Sequence, residues 1–145
     1  MQPSELEGLL NAHAFLRVER PPELWAPNAD LEPFVRLLGE MISAALVRNG
    51  GVLAEVVLNV ANVTVEPDAG AVPPGDFVSV TIKSAGDWSP ESTWLPDAGG
   101  GPDLIGADLD AAARTAGAVY GYARVLDGGT GSVTLFFERV SPGSQ

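Results

Sequence analysis

Two long runs of β-branched and aromatic residues place the tightest constraint on how this chain can fold. They extend over Val52–Val65 and Phe77–Lys83, and the Pro67–Gly75 segment between them is rich in proline and glycine. Strand-forming runs separated by turn residues are typical of a β-hairpin. The sequence therefore predicts an antiparallel pair of strands.

Further strands are predicted on both sides of this hairpin. Phe15–Arg20 alternates apolar and polar residues before a Pro-Pro break, and Leu24–Ala26 is a second short candidate strand. Near the C-terminus, Tyr122–Leu126 and Ser132–Val140 flank a glycine-rich turn. This pattern predicts a second hairpin.

Helices are predicted where apolar residues recur every three to four positions. The first covers residues 4–14. The apolar positions of the second are Leu31, Phe34, Val35, Leu38, Met41, Ile42, Ala45 and Leu46. Asn28 or Asp30 can cap this helix, and the Asn49–Gly51 segment ends it. The apolar positions of the third are Leu109, Ala112, Ala113, Ala116, Val119 and Tyr120.

The stretch from Ser84 to Asp108 shows no periodicity and contains a Gly-Gly-Gly-Pro run, which predicts a long loop. After the N-terminal helix, the predicted order is β, β, helix, β, β, loop, helix, β, β. This order predicts an α+β fold: a two-layer α/β sandwich with a mixed, largely antiparallel sheet and helices on one face. We expect an N-terminal helix within residues 1–14, one domain over 15–140 and a flexible tail over 141–145.

The amino-acid composition limits which catalytic and metal-binding groups the chain can supply. A chain of 145 residues with 46% hydrophobic content can form one core without disulfides or metals. The absence of cysteine excludes thiol nucleophiles and thiolate metal sites, and a single histidine argues against a zinc site. Asp103, Asp108 and Asp110 lack the spacing of a calcium-binding loop. We expect no metal site.

The charge balance argues against polyanionic partners. A formal net charge of −11 would repel nucleic acid and anionic membranes, which proteins normally contact through clustered lysine and arginine. The Met1–Glu7 segment is acidic where a signal peptide would be basic, and no apolar run of about 18 residues is present. We expect a cytoplasmic protein that binds neither nucleic acid nor a membrane.

Several segments, taken in order, carry a resemblance to a known family. They are Leu24–Asp30, Leu37–Leu46, Ile82–Glu91, Gly106–Arg114 and the Gly128–Phe136 hairpin. Together they resemble the ATP-binding domain of bacterial sensor histidine kinases, within the Bergerat-fold or GHKL ATPase superfamily. The second segment is similar to the N-box helix of that family, the third has the outline of its G1 box, Asp-x-Gly-x-Gly, and the fourth looks like its glycine-rich loop entering the last helix. The resemblance implies a Bergerat-like fold.

The same resemblance implies an ATP site in which four positions carry unsuitable residues. The N-box asparagine, which helps to hold magnesium, corresponds to Ala44, and the G1 aspartate, which accepts a hydrogen bond from adenine, corresponds to Ser84. The second G1 glycine corresponds to Trp88, and a phosphate-loop glycine corresponds to Asp108. An indole and a carboxylate there would obstruct and repel a nucleotide. We therefore expect no bound cofactor.

Three further positions of the vestigial site match the family: Glu40, Gly86 and Gly106. Glu40 corresponds to the N-box acid that in some relatives activates water or contacts magnesium. A general base without a positioned nucleotide has nothing to act on, so Glu40 is expected to be a solvent-facing helix residue or a relic. A shifted register would make Asp87 the adenine-reading carboxylate, but no glycines follow it and Ser84 is preferred. We expect no catalytic residue.

His13 and two tryptophans each have two interpretations. His13 could accept a phosphoryl group as the kinase histidine does, but the sequence context and the two-helix hairpin of the kinases are missing, so a structural histidine is expected. Trp88 and Trp94 lie where the family has its ATP lid. They either fill the vacated pocket or anchor a protein partner.

These features predict a non-catalytic regulatory module of bacterial signal transduction. The partners implied by the resemblance are a response regulator, a histidine kinase or a second copy of the chain. The alternative is a divergent ATP-binding histidine kinase or anti-sigma-like kinase domain that uses ATP with magnesium. A third possibility, small-ligand sensing in a reshaped pocket, has no positive sequence support.

Overall fold

The chain forms an α/β arrangement in the computed structural model, which describes residues 1–48, 56–67, 74–85, 92–94, 107–125 and 130–140. The helices within these ranges are α1 (Pro3–Ala12), α2 (Leu31–Arg48) and α3 (Ala107–Ala116). The strands are β1 (Arg17–Glu19), β2 (Val57–Val65), β3 (Gly75–Ala85), β4 (Ser92–Trp94), β5 (Tyr120–Val125) and β6 (Thr130–Glu138).

The strands form one six-stranded sheet in the order β1-β2-β3-β6-β5-β4. Only β1 and β2 are parallel, and the other neighbouring pairs are antiparallel. The predicted hairpin of β2 and β3 is confirmed, with pairing that extends from Val57 opposite Lys83 to Val65 opposite Gly75. A parallel pair needs a crossover connection, and α2 lies in the stretch of chain that joins β1 to β2.

The hydrophobic core lies between the helices and one face of the sheet, which we call the inner face. Alternate residues of the central strands point into it, because successive strand residues face opposite sides. The buried inner-face residues are Leu58, Val60, Val78, Val80, Ile82, Val133, Leu135 and Phe137. They share one cluster with Leu38 and Met41 of α2 and with Leu6 and Leu10 of α1. The predicted two-layer α+β sandwich is therefore confirmed.

The opposite face of the sheet, which we call the outer face, carries a separate aromatic cluster. Phe77, Tyr120 and Phe136 are its buried members, with ring centroids 5.6 Å apart between Tyr120 and Phe136. Beside it, the hydroxyls of Thr81 and Thr134 lie 2.8 Å apart as a buried hydrogen-bonded pair. These residues pair directly across β3 and β6, so the cross-strand contact holds the register of the sheet centre.

The predicted short strand at Leu24–Ala26 is wrong. The segment makes a single β-bridge, from Pro27 to Arg139, flanked by backbone hydrogen bonds from Val140 N to Ala26 O and from Asn28 N to Glu138 O. Proline has no N–H to donate, so the ladder does not continue there. The segment instead lies as a strap along the end of β6.

The predicted third helix is too long at its C-terminal end. It stops at Ala116 because Gly117 adopts a φ of +103°, a left-handed conformation that ends many helices. Val119 and Tyr120 were assigned to the helix, but Tyr120 begins β5. Their spacing matched the helical period by coincidence.

The predicted loop from Ser84 to Asp108 also needs correction where the structure describes it. Ser84 and Ala85 belong to β3, Ser92–Trp94 forms β4 paired with β5, and α3 already includes Asp108. Short strands lack the length over which periodicity can be recognised. The rest of that loop, and the predicted tail 141–145, lie outside the described residues.

Candidate functional site

A groove between α2 and α3 contains Glu40, the acid of the predicted vestigial site. Its volume is about 290 Å³. The lining residues are Pro33, Arg36, Glu40, Ala111, Ala112 and Thr115. These positions recur every three or four residues on each helix, so one face of α2 lies opposite one face of α3. The groove is open because alanines form its α3 wall.

Glu40 is half-buried within this groove and lies one helical turn after Arg36. Ala44 follows Glu40 by one further turn on the same side of α2 and is partly buried. Its methyl group offers no side-chain atom that could coordinate a metal or accept a hydrogen bond. The α2 side of the vestigial site therefore presents one carboxylate where the resemblance implies a carboxylate and an amide.

Ser84 is fully buried near the end of β3, with no solvent-exposed surface. It follows Val80 and Ile82 in the alternation of β3, which puts it on the inner face, and its backbone pairs with Gly131 of β6. Adenine recognition needs an acceptor that a ligand can reach. The Ser84 hydroxyl is enclosed by protein instead.

Asp108 lies in the first turn of α3, three residues before Ala111. Its backbone position therefore falls on the groove side of α3, one turn beyond the groove lining. Aspartate is also a residue type favoured in the first turn of any helix, because of the positive end of the helix dipole. The structure thus brings the Asp108 position and Glu40 to one side of the helix layer.

Three of the predicted vestigial-site residues, Gly86, Trp88 and Gly106, lie outside the described residues. Trp94 is placed by its backbone in β4, where it pairs with Gly121 of β5. The two interpretations of the tryptophans therefore both stay predictions.

His13 lies at the C-terminal end of α1. Its ring nitrogen Nδ1 is 2.8 Å from the carbonyl oxygen of Leu9, and its ring centroid is 5.8 Å from that of Phe15. A carbonyl oxygen can only accept, so Nδ1 carries the proton in this contact. The hydrogen bond caps the end of α1 and gives His13 a structural role.

An exposed apolar surface adjoins the groove, and the sequence interpretation missed it. Leu31 and Val35 are 40% and 41% exposed, although both belong to the apolar pattern from which α2 was predicted. They line a shallow depression of about 690 Å³ together with Glu32, Pro33, Arg36 and Thr115. The signal was present in the sequence, because the apolar stripe of α2 is wider than one face of a helix packed on a sheet requires. We call Leu31, Pro33 and Val35 the α2 patch.

A polar clamp fixes the strap that leads into α2. The side-chain amide of Asn62 accepts a hydrogen bond from Trp25 N at 3.1 Å and donates one to Glu23 O at 2.6 Å. The Arg139 guanidinium lies 4.0 Å from the centre of the Trp25 ring, and its Nη1 is 3.7 Å from Asp76 Oδ2. These contacts hold the segment that precedes α2 against β2 and the end of β6.

Among the described residues, no group of three or more His, Asp or Glu side chains converges as a metal site would require. Over the same residues, no helix is long and apolar enough to cross a membrane. Neither a protein-family model nor a curated protein matches the sequence.

Proposed function

We propose that this chain is a non-catalytic regulatory module of bacterial signal transduction, located in the cytoplasm, which resembles a histidine-kinase ATP-binding domain that no longer binds ATP. The observation that carries the proposal is the complete burial of Ser84. At the position that the resemblance assigns to adenine recognition, the side chain is neither a carboxylate nor open to a ligand. A buried hydroxyl there fills the core and leaves the base without its acceptor.

The arrangement of elements supports the same proposal. A helix lies between β1 and β2, a second lies between β4 and β5, and both contribute to one layer over a mixed sheet. The order predicted from the sequence pattern differs from this one in two strands, because Leu24–Ala26 forms no strand and β4 was not predicted. The helix α2, which corresponds to the N-box helix, contributes Glu40 to the groove but has Ala44 one turn later.

The α2 patch provides the interaction surface that a regulatory module needs. Exposed aliphatic side chains beside a groove commonly anchor a partner protein. Leu31 and Val35 lie one turn apart on α2, so a partner side chain can contact both. The partners proposed from the resemblance are a response regulator, a histidine kinase or a second copy of the chain.

The alternative proposal is a divergent ATP-binding histidine kinase or anti-sigma-like kinase domain that uses ATP with magnesium. One observation favours it: Glu40 lines an open groove rather than facing bulk solvent. A carboxylate in that position could contact a magnesium ion carried by a nucleotide.

A thermal-shift titration separates the two proposals. A ligand that binds only the folded state raises the melting temperature by mass action. We expect no rise with millimolar ATP and magnesium for the unmodified protein. The single variants Ala44→Asn, Ser84→Asp, Trp88→Gly and Asp108→Gly should each fail to restore binding, because contacts that share one ligand are not additive. A clear rise for the unmodified protein would support the alternative. Full rescue by one change would instead show that the four positions do not block the site together.

A second assay tests the interaction surface itself. Sedimentation velocity of the unmodified protein and of a Leu31→Lys/Val35→Lys variant reports whether the α2 patch joins two copies. Ser43→Lys is the control, because Ser43 is exposed on the same helix outside the patch. Loss of self-association in the patch variant alone identifies a second copy as the partner. Monomeric behaviour of all variants leaves the response regulator and the histidine kinase as partners, to be tested with purified proteins in the same assay.

A further inference from the structure

A row of three residues along α2 combines two exposed aliphatic side chains with a glycine. Leu31, Val35 and Gly39 recur every four residues, which places them in one row on the surface of this helix. Leu31 is 40% and Val35 is 41% exposed, and Gly39 is exposed as well. We call these three residues the α2 ridge.

Gly39 is an unfavourable residue for α2 itself. A glycine in the interior of a helix is less stable there than an alanine would be. A Cβ added at Gly39 would meet no described atom within 4 Å, so no contact among the described residues requires a glycine at this position. The missing side chain leaves a gap on the helix surface, one turn after Val35. A side chain of another molecule can insert into such a gap.

Gly8 of α1 shows that an open glycine alone does not mark an interaction site. It too is exposed within a helix, and a Cβ there would meet no described atom within 4 Å. Its neighbours one turn away, Ser4 and Ala12, carry no large apolar side chain. The α2 ridge differs from this position because the gap and two exposed aliphatic side chains lie in the same row.

A second row of α2 residues carries charges of alternating sign. Glu32, Arg36 and Glu40 each follow one member of the α2 ridge in sequence. Glu32 and Arg36 are exposed, and Glu40 is half-buried in the groove. An antiparallel helix with the same row can bring its Glu32 toward Arg36, whereas a parallel helix in the same register would place like charges opposite each other. The charges of α2 therefore complement those of a second, antiparallel α2.

The shapes of two antiparallel α2 helices match about a two-fold axis at Val35. A helix rises about 1.5 Å per residue, so Leu31 and Gly39 lie about 6 Å on either side of Val35 along the helix. The axis places the two Val35 residues against each other and Leu31 of each copy level with Gly39 of the other copy. Each leucine can then fill the gap over a glycine. Glu32 of each copy comes within about 3 Å of Arg36 of the other copy along the helix direction.

We propose that two copies of this chain associate through the α2 ridge, with their α2 helices antiparallel about a two-fold axis at Val35. The inference rests on the proposed function, because it assigns the α2 patch to a second copy among the partners named there. The contact uses one face of one helix, so the interface is small and the dimer is weak and reversible. The formal net charge of −11 on each copy weakens it further. We expect a dissociation constant on the order of 100 µM.

Sedimentation equilibrium of the full chain, up to about 1 mM, measures the dimer. Gly39→Ala should weaken it about tenfold, because the added methyl group occupies the gap that the leucine needs. The same substitution should raise the melting temperature of the fold, since alanine favours the helix. Gly8→Ala is the matched control. It should also raise the melting temperature but should change the dissociation constant by less than about twofold, because Gly8 lies outside the α2 ridge.

Charge reversal tests the antiparallel arrangement. Arg36→Glu should weaken the dimer about tenfold, because it places like charges opposite each other at both symmetric contacts. The double variant Glu32→Arg/Arg36→Glu exchanges the two charges and recreates opposite pairs across the axis. It should return the dissociation constant to within about threefold of the unmodified protein. Circular dichroism checks that each variant is folded before its association is compared.

Single cysteines test which residues meet, because the chain has no cysteine of its own. Val35→Cys should form a disulfide-linked dimer under mild oxidation, since residues that face each other across the axis can reach the Cα separation of about 4–7 Å that a disulfide needs. Ser43→Cys is the control. The helix α2 begins at Leu31, so in the antiparallel pair the second helix ends about 6 Å before the level of Ser43.

Any one of four outcomes would overturn the proposal. They are a protein that stays monomeric at about 1 mM, equal association of Gly39→Ala and Gly8→Ala, no recovery in the charge-exchanged variant, and equal cross-linking of Val35→Cys and Ser43→Cys. The nucleotide melting assay is independent of all four. Failure here therefore removes the second copy as the partner at α2 and leaves the proposed loss of ATP binding intact.

Discussion

The guanidinium of Arg139 lies over the indole ring of Trp25, with its central carbon 4.0 Å from the ring centre. This contact joins the residue after β6 to the strap that precedes α2, although the two residues are far apart in sequence. Asp76 adds an ion pair at 3.7 Å. The last strand of the chain thereby helps to position the helix that forms one wall of the groove.

Arg139→Ala should lower the free energy of unfolding by about 1–2 kcal/mol, because it removes a partly desolvated cation–π contact and the packing of a long side chain. Denaturant unfolding measures the change. Arg36→Ala is the control, since an exposed arginine should change the stability by less than about 0.5 kcal/mol. Equal effects of the two substitutions would show that the Trp25 contact contributes nothing.

Leu38→Ala should destabilise the protein by about 2–5 kcal/mol, as deletion of a buried leucine does. Leu38 has no exposed surface, in accord with the predicted orientation of α2 toward the sheet. Val35→Ala on the same helix should cost less than about 1 kcal/mol, because Val35 is 41% exposed. Urea melts of both variants provide the comparison, and a larger loss for Val35→Ala would contradict the orientation of α2.

Gly117→Ala should destabilise the protein while Gly39→Ala stabilises it. Gly117 has a φ of +103°, and a Cβ there would lie 3.0 Å from the carbonyl oxygen of Asn28. We expect a loss of about 1–3 kcal/mol from strain. A Cβ at Gly39 in α2 meets nothing within 4 Å, so alanine should add about 0.5–1 kcal/mol through helix propensity. The opposite order of melting temperatures would refute this account of α3 termination.

Alkaline pH should destabilise the protein through Tyr120. Burial raises the pKa of Tyr120 above 10.0, Tyr122 adds to the increase and Arg124 opposes it. The unfolded chain therefore loses this proton at a lower pH than the folded chain. The contribution is fully present below pH 10.0 and declines as the pH rises through the folded pKa. Unfolding free energies measured from about pH 8 to about pH 11 should fall less steeply for Tyr120→Phe, and identical slopes would refute the assignment.

Incubation with ATP and magnesium should place no phosphoryl group on His13. The sequence context of the kinase histidine is missing around His13, and the ATP site that would donate the phosphoryl group is expected to be lost. The contact of Nδ1 with the carbonyl oxygen of Leu9 at 2.8 Å is consistent with a structural role. Acid-labile label is the measurement. Label that appears in the unmodified protein and disappears in His13→Ala would show that the histidine is a phospho-acceptor after all.

Short-range sequence patterns predicted the β2–β3 hairpin and the buried face of α2, because neighbouring residues largely determine both. The β2–β3 hairpin follows from strand-forming runs on either side of turn residues, and Leu38 and Met41 are buried as the helical period indicates. The end of α3 was missed because apolar residues continue at helical spacing beyond Gly117, where the chain takes a φ of +103° and passes close to the carbonyl oxygen of Asn28. A contact with a residue so distant in sequence leaves no local signal.

The candidate site was less accessible to sequence reasoning. Glu40 and Ala44 could be placed on α2 by their spacing, but their position opposite Ala111 and Ala112 depends on how two helices pack on a sheet. The burial of Ser84 likewise depends on how the helices pack on the sheet.

The two outermost strands, β1 and β4, have only three residues each, whereas β2 and β3 have nine and eleven. A strand at the border of a sheet exposes unpaired backbone groups that can recruit another chain, and short borders limit that recruitment. Pro21 and Pro22 follow β1 after a single residue and deny it further backbone donors. A chain that pairs with β1 itself can therefore form only a few backbone hydrogen bonds along this three-residue strand.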